Sequence, residues 1–207
     1  MHFHNTLRAA ACGIILTAMG GCSALTSIQS ASKPLDTFEL SPLAAGSVPA
    51  SRGGRHLEVA VPTATGALTS DRIVIKPTPN EVQSLPGSRW VDETNEHVQL
   101  LLVRSLANSG RFALVTEAGS GPAPDYVLLT DLRAFQAEVG AEGVTVVIHT
   151  TMTLLRDTDG SVISSRSFTN SMPASGTSAE VVVAAFDMAM TQQLTDVVGW
   201  LVRNSGA

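Results

Sequence analysis

Both cysteines of this chain, Cys12 and Cys22, lie within its first 22 residues, and from Ser23 to the C-terminus there is none. That distribution removes disulfides, cysteine-based zinc sites and a thiol nucleophile from everything that follows, so whatever folds there is held by burial alone. The chain has 207 residues, and at roughly 100 to 200 residues per domain one core is the expectation. Hydrophobic residues make up 44% and charged residues 15%. This is enough apolar material for such a core, and unlike the composition of a chain that stays unfolded.

The N-terminus reads as an address. Residues 1–8 are polar with Arg8 as their one formal charge, and residues 9–19 form an uncharged, mostly apolar run of eleven. A bilayer-spanning helix needs about 20 such residues, whereas a signal-peptide h-region needs roughly 7 to 15. No later stretch does better, because the apolar run 181–190 is interrupted by Asp187 and followed by Thr191-Gln192-Gln193. The h-region ends in Met19-Gly20-Gly21-Cys22-Ser23, which resembles a bacterial lipobox, with Met19 where leucine is usual. Ala9-Ala10-Ala11-Cys12 is a poorer candidate, since almost nothing apolar precedes it, and a chance cysteine behind an ordinary signal sequence is the plain alternative. On the lipobox reading, residues 1–21 are removed, Cys22 carries lipid, 22–34 form a flexible tether and 35–207 a single folded domain. Each buried methylene contributes about 0.8 kcal/mol, so one acyl chain holds marginally and two hold stably. Lipoproteins of this type carry more than one chain. Ser23, in place of an aspartate, favours the outer membrane by resemblance to sorted lipoproteins.

The formal charge is −5, and loss of Arg8 with the leader makes the mature chain slightly more acidic. Only two of the 13 basic residues are lysine, and none cluster, so nucleic acid is excluded as a partner and a polybasic grip on anionic lipid is not expected.

Along the mature chain, residues 36–40 alternate as a short edge strand, residues 41–54 are a small-residue linker, and Leu57-Glu58-Val59-Ala60-Val61-Pro62 reads as a strand stopped by proline. Arg72-Ile73-Val74-Ile75-Lys76 predicts a second. Pro86-Gly87-Ser88 then supplies a turn and an N-cap for a helix whose first turn holds Trp90, Asp92 and Glu93. Its stripe is Val91, Val98, Leu101, Leu102 and Leu106, closed by Asn108-Ser109-Gly110. Residues 112–116, 126–139, 144–154 and 162–169 read as strands, the last three a meander with a turn at Asp157-Thr158-Asp159-Gly160. Thr177-Ser178-Ala179-Glu180 has the pattern of a capping box before a long helix striped by Val183, Phe186, Met190, Leu194, Val197 and Leu201. The fold class is α+β, a mixed, mainly antiparallel sheet with two helices on one face.

Chemistry is harder to find. His56, His97 and His149 have no acid or second histidine at ligand spacing on their own elements, and surface roles are expected for them. Asp157-Thr158-Asp159-Gly160 lacks the remaining ligands of a calcium loop. Ser30-Ala31-Ser32-Lys33 fits the Ser-x-x-Lys of serine-lysine acylases but falls in the tether, and Gly119-Ser120-Gly121 lacks the spacing of a nucleophile elbow. No metal, no cofactor and no enzymatic activity are expected, although carboxylates distant in sequence could still meet in the fold.

With the elements laid out, Val59-Ala60-Val61-Pro62, Asp71-Arg72-Ile73-Val74-Ile75, Ser88-Arg89-Trp90, residues 102–106 and Asp125-Tyr126-Val127-Leu128 follow a family's order and spacing. Across residues 35–203 the chain resembles the ABC-type transport auxiliary lipoproteins, which include the paraquat-inducible protein C type. Ala64-Thr65-Gly66-Ala67-Leu68 replaces a bulkier segment there. The resemblance implies a non-catalytic periplasmic component of a lipid transport system made of an ATPase, a permease and an MCE-domain protein. Such a lipoprotein sits on the outer membrane facing the periplasm and binds the MCE assembly; self-association stays open. Arg72, Arg89 and Trp90 are the residues the resemblance singles out for partner or ligand contact. Their plain readings are surface ion pairing for the arginines and core packing for Trp90. The other functional class is a structural or assembly lipoprotein of the envelope with no transport role.

Overall fold

The computed structural model describes residues 34–46 and 54–206. From residue 36 the elements are β1 (Asp36–Phe38), β2 (His56–Val59), a 3-10 turn (Gly66–Thr69), β3 (Val74–Thr78), β4 (Glu81–Ser84), β5 (Ser88–Trp90), α1 (Thr94–Asn108), β6 (Leu114–Glu117), β7 (Tyr126–Gly140), β8 (Gly143–Arg156), β9 (Val162–Pro173) and α2 (Ala179–Ser205). The fold is α+β with a mixed sheet, as the patterning predicts.

The fifteen-residue β7 is the spine of that sheet. One of its edges pairs antiparallel with β8, which pairs antiparallel with β9, giving the expected meander. Its other edge takes three short pieces in parallel: β2 at its start, Thr63 against Asp131, and β3 at residues 136–138. Outside these, β6 runs parallel to β2 and β4, which the sequence did not reveal, folds antiparallel on β3. β1 and β5 form a separate parallel pair.

Burial explains the register. In β8 the even positions Val144, Val146, Ile148, Met152 and Leu154 are buried without a break. β7 begins the same way with Leu128 and Leu132, but its next buried residues are the odd-numbered Phe135 and Ala137. An irregularity in the register between Leu132 and Ala134 supplies one extra residue, which shifts the alternation and keeps Phe135 and Ala137 on the buried face with Leu128 and Leu132. α2 covers that face over β8 and β9, burying Val182, Phe186, Met190, Leu194, Val197 and Leu201 at steps of three and four. α1 buries Val98, Leu101, Leu102 and Leu106 against β2 and β6. The two halves meet at an aromatic junction in which Trp90 sits edge-on to Phe135 (5.8 Å) and Phe186 (5.2 Å), while Phe135 and Phe186 stack at 5.0 Å.

The start of the first helix corrects the sequence reading. Ser88 is not its N-cap and Trp90 is not in its first turn, because residues 88–90 are β5 and α1 begins at Thr94. The extended form wins here through its partners: the Trp90 amide donates to the Asp71 carbonyl at 2.7 Å and the Val91 amide to the Phe38 carbonyl at 2.9 Å. Val91, expected to head the apolar stripe, is 43% exposed. The helix does end as expected, with Gly110 at a φ of 65°. The capping box at 177–180 is replaced by another arrangement. Ser178 is the N-cap, and the Glu180 carboxylate accepts from its own amide and from the Ser178 hydroxyl, which hold its pKa below the usual value.

Candidate functional site

Arg89, with Trp90 adjacent, lies 17 positions after Arg72, and the fold sets their strand beside the turn that holds Asp71 and Arg72. The Asp71 carbonyl receives the Trp90 amide, and its carboxylate lies 3.3 Å from Arg89 Nη1. Arg89 Nε also donates to Thr37 Oγ1 at 3.2 Å, so one guanidinium joins β1 to the turn ahead of β3. One residue earlier, the Ser70 carbonyl accepts both the amide and the hydroxyl of Thr94, at 3.0 and 2.9 Å, which seats the first turn of α1. The turn 70–73 is therefore a socket for β5 and α1.

The electrostatics of this corner are mild. The Asp71 and Arg89 side chains are 37% and 45% exposed, and an ion pair at such exposure contributes roughly 0 to 1 kcal/mol. Arg72 is half-buried beside them, and no ion pair to it occurs among the described residues. Trp90 is 1% exposed, so its ring is core and only its backbone belongs to the corner. What the arrangement offers a partner is the half-exposed Arg89 guanidinium on β5, with the half-buried Arg72 on the turn beside it. Cys22 lies outside the described residues.

The histidines depart from expectation. His149 is half-buried on the face of β8 turned away from the helices, but His56 and His97 are 8% and 3% exposed. His56 is fixed by Thr116 Oγ1 2.9 Å from its Nε2, and its amide donates to Asp125 at 2.8 Å. That amide, ahead of the Arg55 guanidinium at 3.0 Å, holds the Asp125 carboxyl below its usual pKa. His97 Nε2 accepts the Leu40 amide at 3.1 Å. It is one of several ties on residues 39–43 that sequence reasoning missed. The Ser41 amide donates to Asp187 Oδ1 at 2.7 Å, the Leu43 amide to Ser105 Oγ at 3.0 Å, and Asn108 Nδ2 to the Leu43 carbonyl at 2.8 Å. The partners in these ties are 57 to 146 positions apart and leave no local pattern.

Among the described residues no group of three or more His, Cys, Asp or Glu is placed to hold a metal ion. A hollow of about 260 Å³ lies on the sheet between Val61, Leu129, Asp131 and Thr153, and another of about 140 Å³ beside Lys76 and Glu138. Both fall short of the roughly 300 to 1,000 Å³ of pockets that enclose small-molecule ligands. No helix of the described residues is long and apolar enough to cross a membrane.

A family model described as the ABC-type transport auxiliary lipoprotein component matches residues 38–198. The chain belongs to that family. All five sequence segments that carried the resemblance fall inside the match, including the Asp71–Arg89 corner. Among solved structures, protein XCC0632 from Xanthomonas campestris superimposes with a TM-score of 0.74 at 30% identity, covering 82% of this chain and 96% of that one. A second crystal structure, of an uncharacterized protein, shares the fold at a TM-score of 0.66 and 15% identity, over 82% of this chain and 99% of its own. An uncharacterized protein of Bradyrhizobium diazoefficiens is 30% identical over 150 residues, which are 70% of this chain and 39% of that protein. The auxiliary lipoprotein thus spans about two-fifths of that relative's length. The family's name associates it with an ABC transport system, and no catalytic family is indicated.

Proposed function

We propose that this auxiliary lipoprotein is a non-catalytic envelope component of an MCE-type lipid transport system, held to the outer membrane by lipid on Cys22 and facing the periplasm. The family match over residues 38–198 carries the reading, and the lipobox-like Met19-Gly20-Gly21-Cys22-Ser23 ahead of it supplies the anchor. Two features fit a role exercised through surface contact. The two hollows described on the sheet are too small to enclose a diacyl lipid, and Arg72 on the turn 70–73 and Arg89 on β5 stand at a corner tied to β1 and α1, where a partner's acidic groups could meet them. The MCE-domain protein of the same system is the partner, with the permease and ATPase reached through it.

Two measurements test this. The detergent-solubilised protein should co-purify with its cognate MCE subunit, and Cys22→Ser should move the body from the membrane to the soluble fraction. Membrane release without any MCE association would leave an envelope lipoprotein of structural or assembly type and end the transport reading. Full retention of the Cys22→Ser protein on membranes would end the anchoring reading.

A further inference from the structure

Residues 39–43 lie across both helices as a strap immediately after β1. Three successive ties to backbone amides come from three side chains on two elements: His97 and Ser105 of α1 and Asp187 of α2. Asn108 accepts no part of this but donates to the Leu43 carbonyl, and Arg104 pairs with Glu39 at 3.2 Å. Leu40 and Leu43 are 2% and 6% exposed, so the strap is packed as well as laced.

One of these ties depends on a proton. His97 Nε2 accepts the Leu40 amide and must therefore be bare, which puts the ring's hydrogen on Nδ1. Nδ1 is buried with no hydrogen-bond partner, and the Trp90 ring lies 5.7 Å away. A second proton could go only to Nε2, where it would point at the Leu40 N–H and turn an attraction between donor and acceptor into a repulsion between two donors. We propose that residues 39–43 form a proton-sensitive latch, closed across α1 and α2 while His97 is neutral and loosened at Leu40 when it is protonated.

The surroundings of His97 set the direction. Burial pushes its pKa below the ordinary 6.5, against the pull of Glu39 on the strap and Asp92 ahead of α1 and with the help of Arg104 on α1. Asp187 of α2 faces the strap at Ser41. In the loosened state the imidazole meets water and recovers an ordinary pKa, so it binds a proton more readily there than in the closed state. The latch is thus fully stable above pH 6.5 and weakens as pH falls from 6.5 toward the depressed value, by at most about tenfold in the closed-to-open ratio per pH unit. The two buried leucines and the ties to Asp187, Ser105 and Asn108 remain, so the change is local opening and leaves the sheet intact. The reading does not depend on the lipid anchor or on the partner.

Hydrogen exchange of the full chain in detergent, followed by mass spectrometry and normalised to intrinsic rates, tests it. Protection at residues 39–43 should be constant above pH 6.5 and fall by up to about tenfold per pH unit below it, while β7 and β8 stay unchanged. His97→Gln keeps an acceptor for the Leu40 amide and cannot titrate, so its strap should show no such fall. Asp187→Asn should retain it. A flat wild-type profile, or a fall that survives in His97→Gln, overturns the latch, as does a fall lost only in Asp187→Asn. Should His97→Gln not fold, NMR titration of the wild-type His97 ring and the Leu40 amide decides the matter, since the latch requires a common midpoint and separate midpoints overturn it.

Discussion

Replacing Trp90 by alanine separates the two roles that the sequence allowed this residue. Its ring is 1% exposed and meets Phe135, Phe186 and His97 at centroid distances of 5.8, 5.2 and 5.7 Å. Truncating a buried aromatic costs about 3 to 5 kcal/mol when the surroundings cannot collapse into the space. Collapse is hindered here because Phe135 and Phe186 are locked in their own stack at 5.0 Å, and each lost ring pair adds about 0.5 to 1.5 kcal/mol beyond area. The upper half of the range is therefore expected. For a domain of roughly 150 to 250 residues each kcal/mol moves Tm by about 2 to 4 °C, so Trp90→Ala should melt about 8 to 20 °C lower. Arg89→Ala, one position away, removes only a half-exposed ion pair and a bond to Thr37, and should cost less than about 1 kcal/mol. Far-UV circular dichroism melts of the full chain in detergent read both variants. A Trp90→Ala loss under about 1 kcal/mol would refute the buried junction, and an equal loss for Arg89→Ala would mean that charge rather than packing holds the corner.

Three further outcomes follow from single side chains. Thr130 is 3% exposed and its Oγ1 has no partner, so Thr130→Val, which keeps the shape and removes the orphaned hydroxyl, should raise the urea midpoint by an amount worth up to about 1 kcal/mol; a clear loss would mean the hydroxyl is bonded. The Asp125 carboxyl is held below the usual 3.8 by the His56 amide first and Arg55 second, so its contribution is present above pH 3.8 and lost as pH falls below it. Asp125→Asn should therefore cost less than about 1 kcal/mol at neutral pH, and the gap to wild type should close in acid; a gap that stays constant through acid unfolding contradicts this. Arg72→Glu with Arg89→Glu should leave the melt within about 2 kcal/mol of wild type and weaken capture of the MCE subunit at least tenfold, whereas unchanged capture would remove this corner from the contact surface.

The elements that were legible in the sequence are those whose periodicity is long. The strand at 144–154 alternates without interruption, and the helix that became α2 repeats at three and four for most of its length, so both were readable from spacing alone. Strand β5 was misread because Ser88, Asp92 and Glu93 are good residues for a helix start, and only the Asp71 and Phe38 carbonyls, remote in sequence, make the extended form preferable. The parallel pairing of β2, β3 and β6 was hidden for a similar reason: pieces of four or five residues carry no mark of direction, and the long β7 edge decides how they lie.

The irregularity in β7 emerges only from burial, because Val127 and Leu129 make the odd positions as apolar as the even ones at the start of the strand. Leu128, Leu132, Phe135 and Ala137 cannot all share a face of an unbroken strand, since the first two are even and the last two odd. Either one pair faces solvent or one residue is extra, and with Phe135 among them the second choice costs less. The same parity argument reaches function. Without the extra residue, Phe135 would turn to the open face, and the Trp90 ring that anchors β5 beside the turn 70–73 would keep only Phe186 and His97 as ring neighbours. Deleting Arg133, the residue between the paired Leu132 and Ala134, should therefore disturb the distant Asp71–Arg89 corner as well as stability. Residue-resolved hydrogen exchange reads both effects, and a deletion variant with a normal Trp90 amide would show that the corner forms without the aromatic junction behind it.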